Sequence, residues 1–501
     1  MLDFSRYTHS NALTGPQIDI CAAPDAKLLI IGTYPQRVNS KLRSDQILQS
    51  QPAIHSGSIY RIALTGAISG LLFGFDTAVI NGALLSLRVR FSLSELQVEF
   101  AASSLLYGCL VGAMLAGVLS DRFGRRSVLR VSGFIFLLSA VFAAISFTFF
   151  EFLTARFLGG LGIGFASTIA PLYLAEVSPR EKRGSIVTLN QIAIVSGILM
   201  AYGTNWALAA IGNDAWRWMF ASAAVPALAF LICLFFVPES PRWLLQKRCL
   251  MEAEAALSVI GGSTSLAERF EEIRVAISAE FPVAGWLRRF RRPLLLAVVI
   301  AALQQMTGIN TVLYYGALLF AGPGNSGGDQ RAFAANVLIG ATNLAFTLVA
   351  LAIMDRVGRR PLLTGSAAIM FVALLLLVLA FHSPHPDFRL IVGSTMLYVA
   401  AFATGLGPGA WVYMAEIFPT NVRGRAMSIA TTTLWLSCLL VSNTFLSMLH
   451  ALGPALTFAV YAVICGIAVV FFSRLPETRG KSLEAIEQSW ASAPAETSRT
   501  A

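Results

Sequence analysis

Asp76 stands in Gly70-Leu71-Leu72-Phe73-Gly74-Phe75-Asp76-Thr77, an otherwise apolar stretch. An isolated charge among such residues is costly, so it marks a functional position and calls for a partner. Gln304, Gln305 and Asn310 lie close together in Gln304-Gln305-Met306-Thr307-Gly308-Ile309-Asn310. Carboxamides both donate and accept hydrogen bonds, which suits a hydroxyl-rich ligand such as a monosaccharide, and an aromatic wall suits its C–H face. Trp411 and Trp435 offer such walls, and Phe73 sits one turn before Asp76. A third set pairs acids with arginines: Asp121, Arg122 and Arg125; Glu176 and Arg183; Glu239 and Arg242; Asp355, Arg356 and Arg359; Glu416 and Arg423. Arginine–carboxylate pairs are directional, and breaking a partly buried one leaves an uncompensated charge. Such pairs can serve as latches. Alternatively the arginines only fix topology, and an isolated Asn or Gln in a span only glues helices together.

Of the 501 residues, 56% are hydrophobic and 13% charged. A soluble domain carries about a quarter charged residues. Too few charges remain to cover a water-facing surface, which excludes a soluble enzyme. The net charge of +10 falls in short loops rather than on one face, so no nucleic-acid partner is implied. No Walker A sequence is present, so no nucleotide partner or ATP-driven pump is expected. The six cysteines form no CxxC pair, and neither a metal nor a cofactor is called for. The first thirty residues are too polar for a signal peptide. The class is an all-α, multi-pass membrane protein, with the lipid bilayer as its solvent.

Charged residues bracket segments of about the 20 residues that a spanning helix needs. Glu99 and Asp121 enclose one, Arg130 and Glu151 the next, then Arg156–Glu176, Arg217–Glu239, Arg331–Asp355, Arg389–Glu416, Arg425–His450 and His450–Arg474. Intervals 62–83, 185–210, 293–320 and 361–381 bring the expectation to twelve spans. Bases concentrate in alternate loops, which places both termini in the cytoplasm of a cell (plasma or inner) membrane. Five regions follow: a polar extension over 1–60, expected to be disordered; a six-helix bundle over 61–238; a cytoplasmic helical linker over 239–292; a second bundle over 293–475; and a cytoplasmic tail over 476–501. Helical spacing in Met251–Leu257 and Ser265–Ile277 predicts short amphipathic helices in the linker.

On this topology Asp76 lies about 15 residues beyond Arg61, roughly 22 Å along an outward-running helix. Arg156 lies about one and a half turns below the outer end of an inward-running one. The two heads reach similar depth, so pairing is geometrically plausible. A buried acid facing an arginine can act as a proton switch, or the pair can be a permanent salt bridge that never titrates. The run Gly405-Leu406-Gly407-Pro408-Gly409 is expected to break its helix and act as a hinge. Pro241 with Arg242 and Trp243 reads equally as a helix stop with interfacial anchors or as part of a latch.

The chain is internally duplicated. Asp121-Arg122-Phe123-Gly124-Arg125-Arg126 recurs 234 residues later from Asp355, Ala175-Glu176-Val177-Ser178-Pro179 recurs 240 later from Ala415, and Pro238-Glu239-Ser240 recurs 238 later as Pro476-Glu477-Thr478. Near-constant spacing implies two six-helix halves in the same orientation, a plan that places substrate near the midplane between them. With the Gln304–Asn310 run and Pro238-Glu239-Ser240-Pro241-Arg242-Trp243-Leu244, these motifs make residues 61–485 resemble the sugar porter family of the major facilitator superfamily. The resemblance implies pocket roles for Gln191, Asn343 and Tyr314 beside Gln304, Gln305 and Asn310, with Trp411 as a stacking wall. It implies that Asp76 carries a proton with Arg156 as modulator, and that the acid–arginine motifs latch the cytoplasmic side. One departure stands out: Leu434 replaces an amide that several relatives carry before the eleventh-span tryptophan. The expected activity is import of a monosaccharide (hexose or pentose) with a proton by alternating access. The rivals are a proton-independent facilitator, a non-transporting sugar sensor and, without pocket support, drug efflux.

Overall fold

The computed structural model describes residues 56–178, 183–260, 266–278, 287, 290–321, 330–383, 387–418 and 420–479. The extension and tail expected over 1–60 and 476–501 therefore lie largely outside the described residues. The first half is built from α1 (Ser56–Ala78), α2 (Ile80–Phe91), α3 (Glu95–Phe123), α4 (Arg125–Ile145), α5 (Phe149–Val177), α6 (Arg183–Leu208), α7 (Ala215–Ser222) and α8 (Ala224–Cys233). Three short helices follow: α9 (Pro241–Gln246), α10 (Leu250–Ile260) and α11 (Leu266–Ser278). The second half comprises α12 (Arg291–Met306), α13 (Ile309–Ala321), α14 (Gln330–Val357), α15 (Arg359–His382), α16 (Phe388–Ala401), α17 (Gly407–Glu416) and α18 (Thr420–Ser473). Among the described residues, eleven stretches are long and apolar enough to cross a bilayer. The last turns at Gly453 (φ 78°), just before Pro454, and so makes two passes. Twelve passes result, in two six-helix repeats.

The spans run past the charges that were expected to end them. Helix α3 starts at Glu95, so Glu99 is not a boundary but a fully buried residue of its second turn. Likewise α5 starts at Phe149, where Thr148 accepts from the Glu151 N–H and Glu151 reaches back to the Thr148 N–H, a reciprocal cap. These two charges are absorbed by an interface and by a helix terminus.

Among the described residues the sixth span breaks briefly at Ala223, between α7 and α8, and three others are irregular at places where side chains satisfy the backbone groups released. Between α1 and α2, Asn205 donates to the Val79 carbonyl at 3.1 Å. Between α12 and α13, Gly308 adopts φ +90° and Tyr398 donates to the Thr307 carbonyl at 2.8 Å. The glycine-rich run does not break its span as expected. A π turn over Phe402–Leu406 widens the helix, which continues as α17. Ser366 explains how: its hydroxyl accepts from the Leu406 N–H at 3.0 Å and donates to the Ala401 carbonyl at 2.7 Å, standing inside the widened turn.

The two interhelix helices predicted in the linker are present as α10 and α11. They pack with α9 around Leu244, Cys249, Ala253 and Ala256. Trp243 donates to the Asp121 carbonyl at 3.0 Å, tying this small unit to the end of α3.

Gly308 carries a sharp expectation. A β-carbon there would lie 2.8 Å from the Tyr461 ring, on a backbone that costs an L-residue about 1–2 kcal/mol. Gly308→Ala should lower the melting temperature of the purified protein by several degrees in a differential scanning measurement; an unchanged melting temperature would refute the packing.

Candidate functional site

Asp76 lies in the last turn of α1, next to the interruption, and Arg156 lies on α5. The Arg156 Nη1 stands 2.8 Å from Asp76 Oδ1, and its Nη2 donates to the Asp76 carbonyl at 3.1 Å. Arg156 is 1% exposed, and its guanidinium lies 5.0 Å from the centre of the Phe220 ring. A weakly hydrated guanidinium is suited to this setting, since the ring face and the carbonyl replace lost water. The pair is monodentate. Asp76 Oδ2 is buried and has no hydrogen-bond partner among the described residues. That oxygen can take a proton without breaking the Arg156 contact to its neighbour.

The amides converge from the second half. Asn310 Nδ2 donates to Gln305 Oε1 across the α12–α13 interruption and approaches Cys438 Sγ at 3.1 Å. Tyr314 places its hydroxyl 3.9 Å from the same sulfur. Gln304 behaves differently from expectation. Its Nε2 donates to the carbonyls of Leu406 and Gly407 at 3.0 and 2.9 Å, while its Oε1 is buried and unpartnered. The widened turn releases those carbonyls, and Gln304 answers them. Thus α12 caps the irregular tenth span, just as Tyr398 of that span caps α12. Trp435 packs against Phe73 of the other half at 5.8 Å between ring centres, and its indole N–H is unpartnered. Gln191 and Trp411 are half-buried. Asn343 is buried, with no hydrogen-bond partner among the described residues. Cys438 was missed because a cysteine in a span counts as an apolar filler. Its position one turn after Leu434 was the available signal.

The motif acids and arginines form matching sets at the end of the molecule where the basic loops gather. Glu239 accepts from the backbone N–H groups of Arg125, Arg126 and Ser240 at 2.8–3.1 Å. Glu477 does the same for Arg359, Arg360, Thr478 and Arg479 at 2.9–3.1 Å. Each acid thereby caps the helix that begins after a positive-φ glycine, Gly124 or Gly358. Arg125 Nε lies 3.2 Å from Glu176, and Arg359 Nη2 lies 2.9 Å from Glu416. Ser240 and Thr478 donate to those same two glutamates. Asp121 also pairs with Arg125, at 3.2 Å. All these pairs lie within one half. The expected clasp between halves is not among them, because the halves are joined at the opposite end. Arg122 is exposed beside the Phe123 ring, Arg356 is exposed, and Arg242 is half-buried. Arg183, Asp355 and Arg423 stand on described helices, but their side chains lie outside the described residues.

At the opposite end Asn81 bridges to the second half. It donates to the Leu313 carbonyl at 2.8 Å and accepts from the Ala317 N–H at 2.9 Å. Those two groups are the usual i, i+4 partners of a helix. Tyr202 also donates to the Leu313 carbonyl, and Trp206 to Gln330 Oε1, at 2.8 and 2.6 Å. None of these residues carries a local sequence signal for a contact between the halves.

Two six-helix repeats, a buried acid–arginine pair in one and clustered carboxamides in the other define a carrier of the alternating-access kind. Residues 62–490 match the family described as Sugar (and other) transporter. The chain is 36% identical to the D-xylose-proton symporter of Escherichia coli (strain K12), covering 89% of this chain and 99% of that one. It is 35% identical to the arabinose-proton symporter of Bacillus subtilis (strain 168), covering 87% and 95%. A solved structure of a proton:xylose symporter of the major facilitator superfamily, bound to 6-bromo-6-deoxy-D-glucose, superposes with a TM-score of 0.76 at 35% identity, covering 87% and 99%. The chain belongs to the sugar porter family of the major facilitator superfamily. Its members are named as transporters, so the reading as a transporter rather than an enzyme holds at the family level.

The two capping glutamates titrate in opposite senses. Burial pushes the Glu239 carboxyl up despite its backbone donors. Burial also acts to raise Glu477, but the N–H groups of Arg479, Arg359, Arg360 and Thr478 outweigh it and hold this carboxyl below the usual range. A carboxyl lowered by folding stabilises the fold above its unfolded value of 4.5, and that contribution fades as pH falls through the lowered one. The melting temperature lost in Glu477→Gln should therefore be largest near neutral pH and shrink below pH 4.5. A loss that grows toward acid would contradict the cap.

Proposed function

We propose that this chain imports a monosaccharide, a hexose or pentose, together with a proton, by alternating access. The basic end faces the cytoplasm on the positive-inside rule, with both termini and the linker over 239–292 on that side. The bundles over 61–238 and 293–475 are the two moving bodies, and the end held by Asn81, Tyr202 and Trp206 is the outer gate, shut in this structure. The sugar would meet the amides of Gln305 and Asn310, the free Oε1 of Gln304, and the rings of Trp411, Trp435 and Phe73. Gln191, Asn343 and Tyr314 would complete the pocket. A sugar hydroxyl that donates to Gln304 Oε1 would also bear on the widened turn that Gln304 caps, coupling occupancy to the hinge.

The observation that carries proton coupling is the open Asp76 Oδ2 beside a fully buried Arg156. With the proton on Oδ2, the carboxyl keeps its hydrogen bond from Arg156 but loses most of the ion-pair attraction. Arg156 then gains freedom to shift, and the first half can repack. Binding of sugar and proton together would favour closure of the outer gate, after which the empty carrier returns. The arginine–glutamate sets at the cytoplasmic end hold each half rigid as it tilts.

Asp76→Asn is the decisive variant. In proteoliposomes with an imposed proton gradient, wild-type protein should concentrate labelled sugar, by as much as about tenfold per pH unit for one proton per sugar. The variant should fall to an accumulation ratio near 1 while still exchanging internal for external sugar. Undiminished accumulation by Asp76→Asn would sink proton coupling through this residue; equal ratios near 1 in both proteins would establish a facilitator.

A further inference from the structure

Glu99 is 0% exposed. Among the described residues no arginine, lysine or histidine stands within ion-pair distance of it. Both of its carboxylate oxygens are instead held by one residue of the opposite half. The Ser447 N–H donates to Oε1 at 2.7 Å, and the Ser447 hydroxyl to Oε2 at 2.6 Å. Ser103, one turn along α3, bridges the same gap, 2.7 Å from the Glu99 carbonyl and 2.9 Å from Asn443 Oδ1. The N–H of Ser447 belongs to the interior of α18, where it would ordinarily serve the carbonyl of Asn443. It is turned toward the carboxylate of another bundle.

We propose that Glu99 is a clasp of the outer gate, a carboxylate that fastens α3 to α18 by a two-point grip on Ser447; this rests on the transporter reading above. The contacts of Asn81, Tyr202 and Trp206 all reach α13 and α14. Glu99 fastens the other flank of the junction between the halves, where α3 meets α18. A fully buried carboxylate must keep both hydrogen bonds, so the halves cannot slide while it stays buried. Ser447 itself is exposed, so the grip sits at the rim of the interface. When the halves part there, water reaches the carboxylate at once and replaces both donors. The clasp therefore has two satisfied states, shut on Ser447 or open and hydrated, with a strained interval between them. That is the behaviour a gate requires.

The test reads the gate and not the transport. Leu96 and Leu452 are exposed, 56% and 45%, near the ends of the two helices on either side of this flank. Full-length protein carrying nitroxide labels at Leu96→Cys and Leu452→Cys, with accessible native cysteines replaced by serine, is placed in lipid nanodiscs without sugar. Pulsed electron-spin measurement gives the ratio of open to shut distances. Glu99→Ala should raise that ratio about 3- to 10-fold, the loss of one to two net hydrogen bonds. Ser447→Ala, which removes only the hydroxyl, should raise it by less, and decides the matter alone if Glu99→Ala does not fold. Glu99→Gln keeps an acceptor for the Ser447 N–H and should open less than Glu99→Ala. Unchanged distances in the alanine variants, or a glutamine variant as open as the alanine one, overturns the clasp. Failure of sugar accumulation by the wild-type protein would bear on the transport reading and leave these ratios as they are.

Discussion

A helix interrupted inside a bilayer releases N–H and C=O groups that no solvent can satisfy. The rest of this structure depends on how that constraint is met. In the first, seventh and tenth spans a side chain from a neighbouring helix takes the released group: Asn205 at Val79, Tyr398 at Thr307, Gln304 at Leu406 and Gly407, Ser366 inside the π turn. The residues suited to binding a sugar are drawn from the same pool. An amide that satisfies a broken helix lies, by construction, where polar backbone is accessible. That location is also the only place in a membrane where a hydroxyl-rich ligand can be received. On the proposed reading binding and gating would share atoms, as at Gln304, with one end engaged and the other open.

Much of this was legible because a membrane magnifies the cost of polarity. Asp76 announced itself as a lone acid among apolar residues, and the run from Gln304 to Asn310 as three amides within seven positions. The duplication placed the two halves before any coordinate did. What escaped did so for physical reasons. Glu99 was used as a span boundary, on the assumption that a carboxylate must face water; an interface that supplies two donors removes that need. Asn81 and Tyr202 looked like ordinary members of a span, since nothing local shows that a residue will reach across to another bundle. The first-span interruption occurs at Thr77-Ala78-Val79-Ile80-Asn81, without glycine or proline, because Arg156 and Asn205 hold its carbonyls from outside. Conversely, the glycine-rich tenth span looked broken and is merely widened, because Ser366 fills the turn.

The duplicated motifs and the non-duplicated site residues divide the labour. At the basic end the halves are near copies: Glu239 and Glu477 cap equivalent helices, Arg125–Glu176 matches Arg359–Glu416, and Tyr173 and Tyr413 donate to the carbonyls of Pro238 and Pro476. The interaction pattern is repeated because the mechanical task is repeated. Each half must stay rigid while it tilts, and directional charge-assisted bonds within a half achieve that. Even so, the copies differ in burial. Burial wins at Glu239 and the backbone donors win at Glu477.

Nearer the midplane the halves diverge. The acid and its arginine belong to the first, most of the candidate amides and the thiol of Cys438 to the second. Coupling between them can then pass through the junction that both halves share. That junction is fastened by a small number of buried groups that are satisfied when shut or when hydrated, and poorly satisfied between. A carrier built this way need not transmit a signal along a chain of residues. On the proposed reading, protonation at Asp76 would alter how the first half packs, sugar would alter how the tenth and seventh spans cap each other, and each would bias the same two-state junction. The tightness of coupling is then set by how costly the intermediate opening is, which places the control of stoichiometry in the gate residues as much as in the residues that hold proton and sugar.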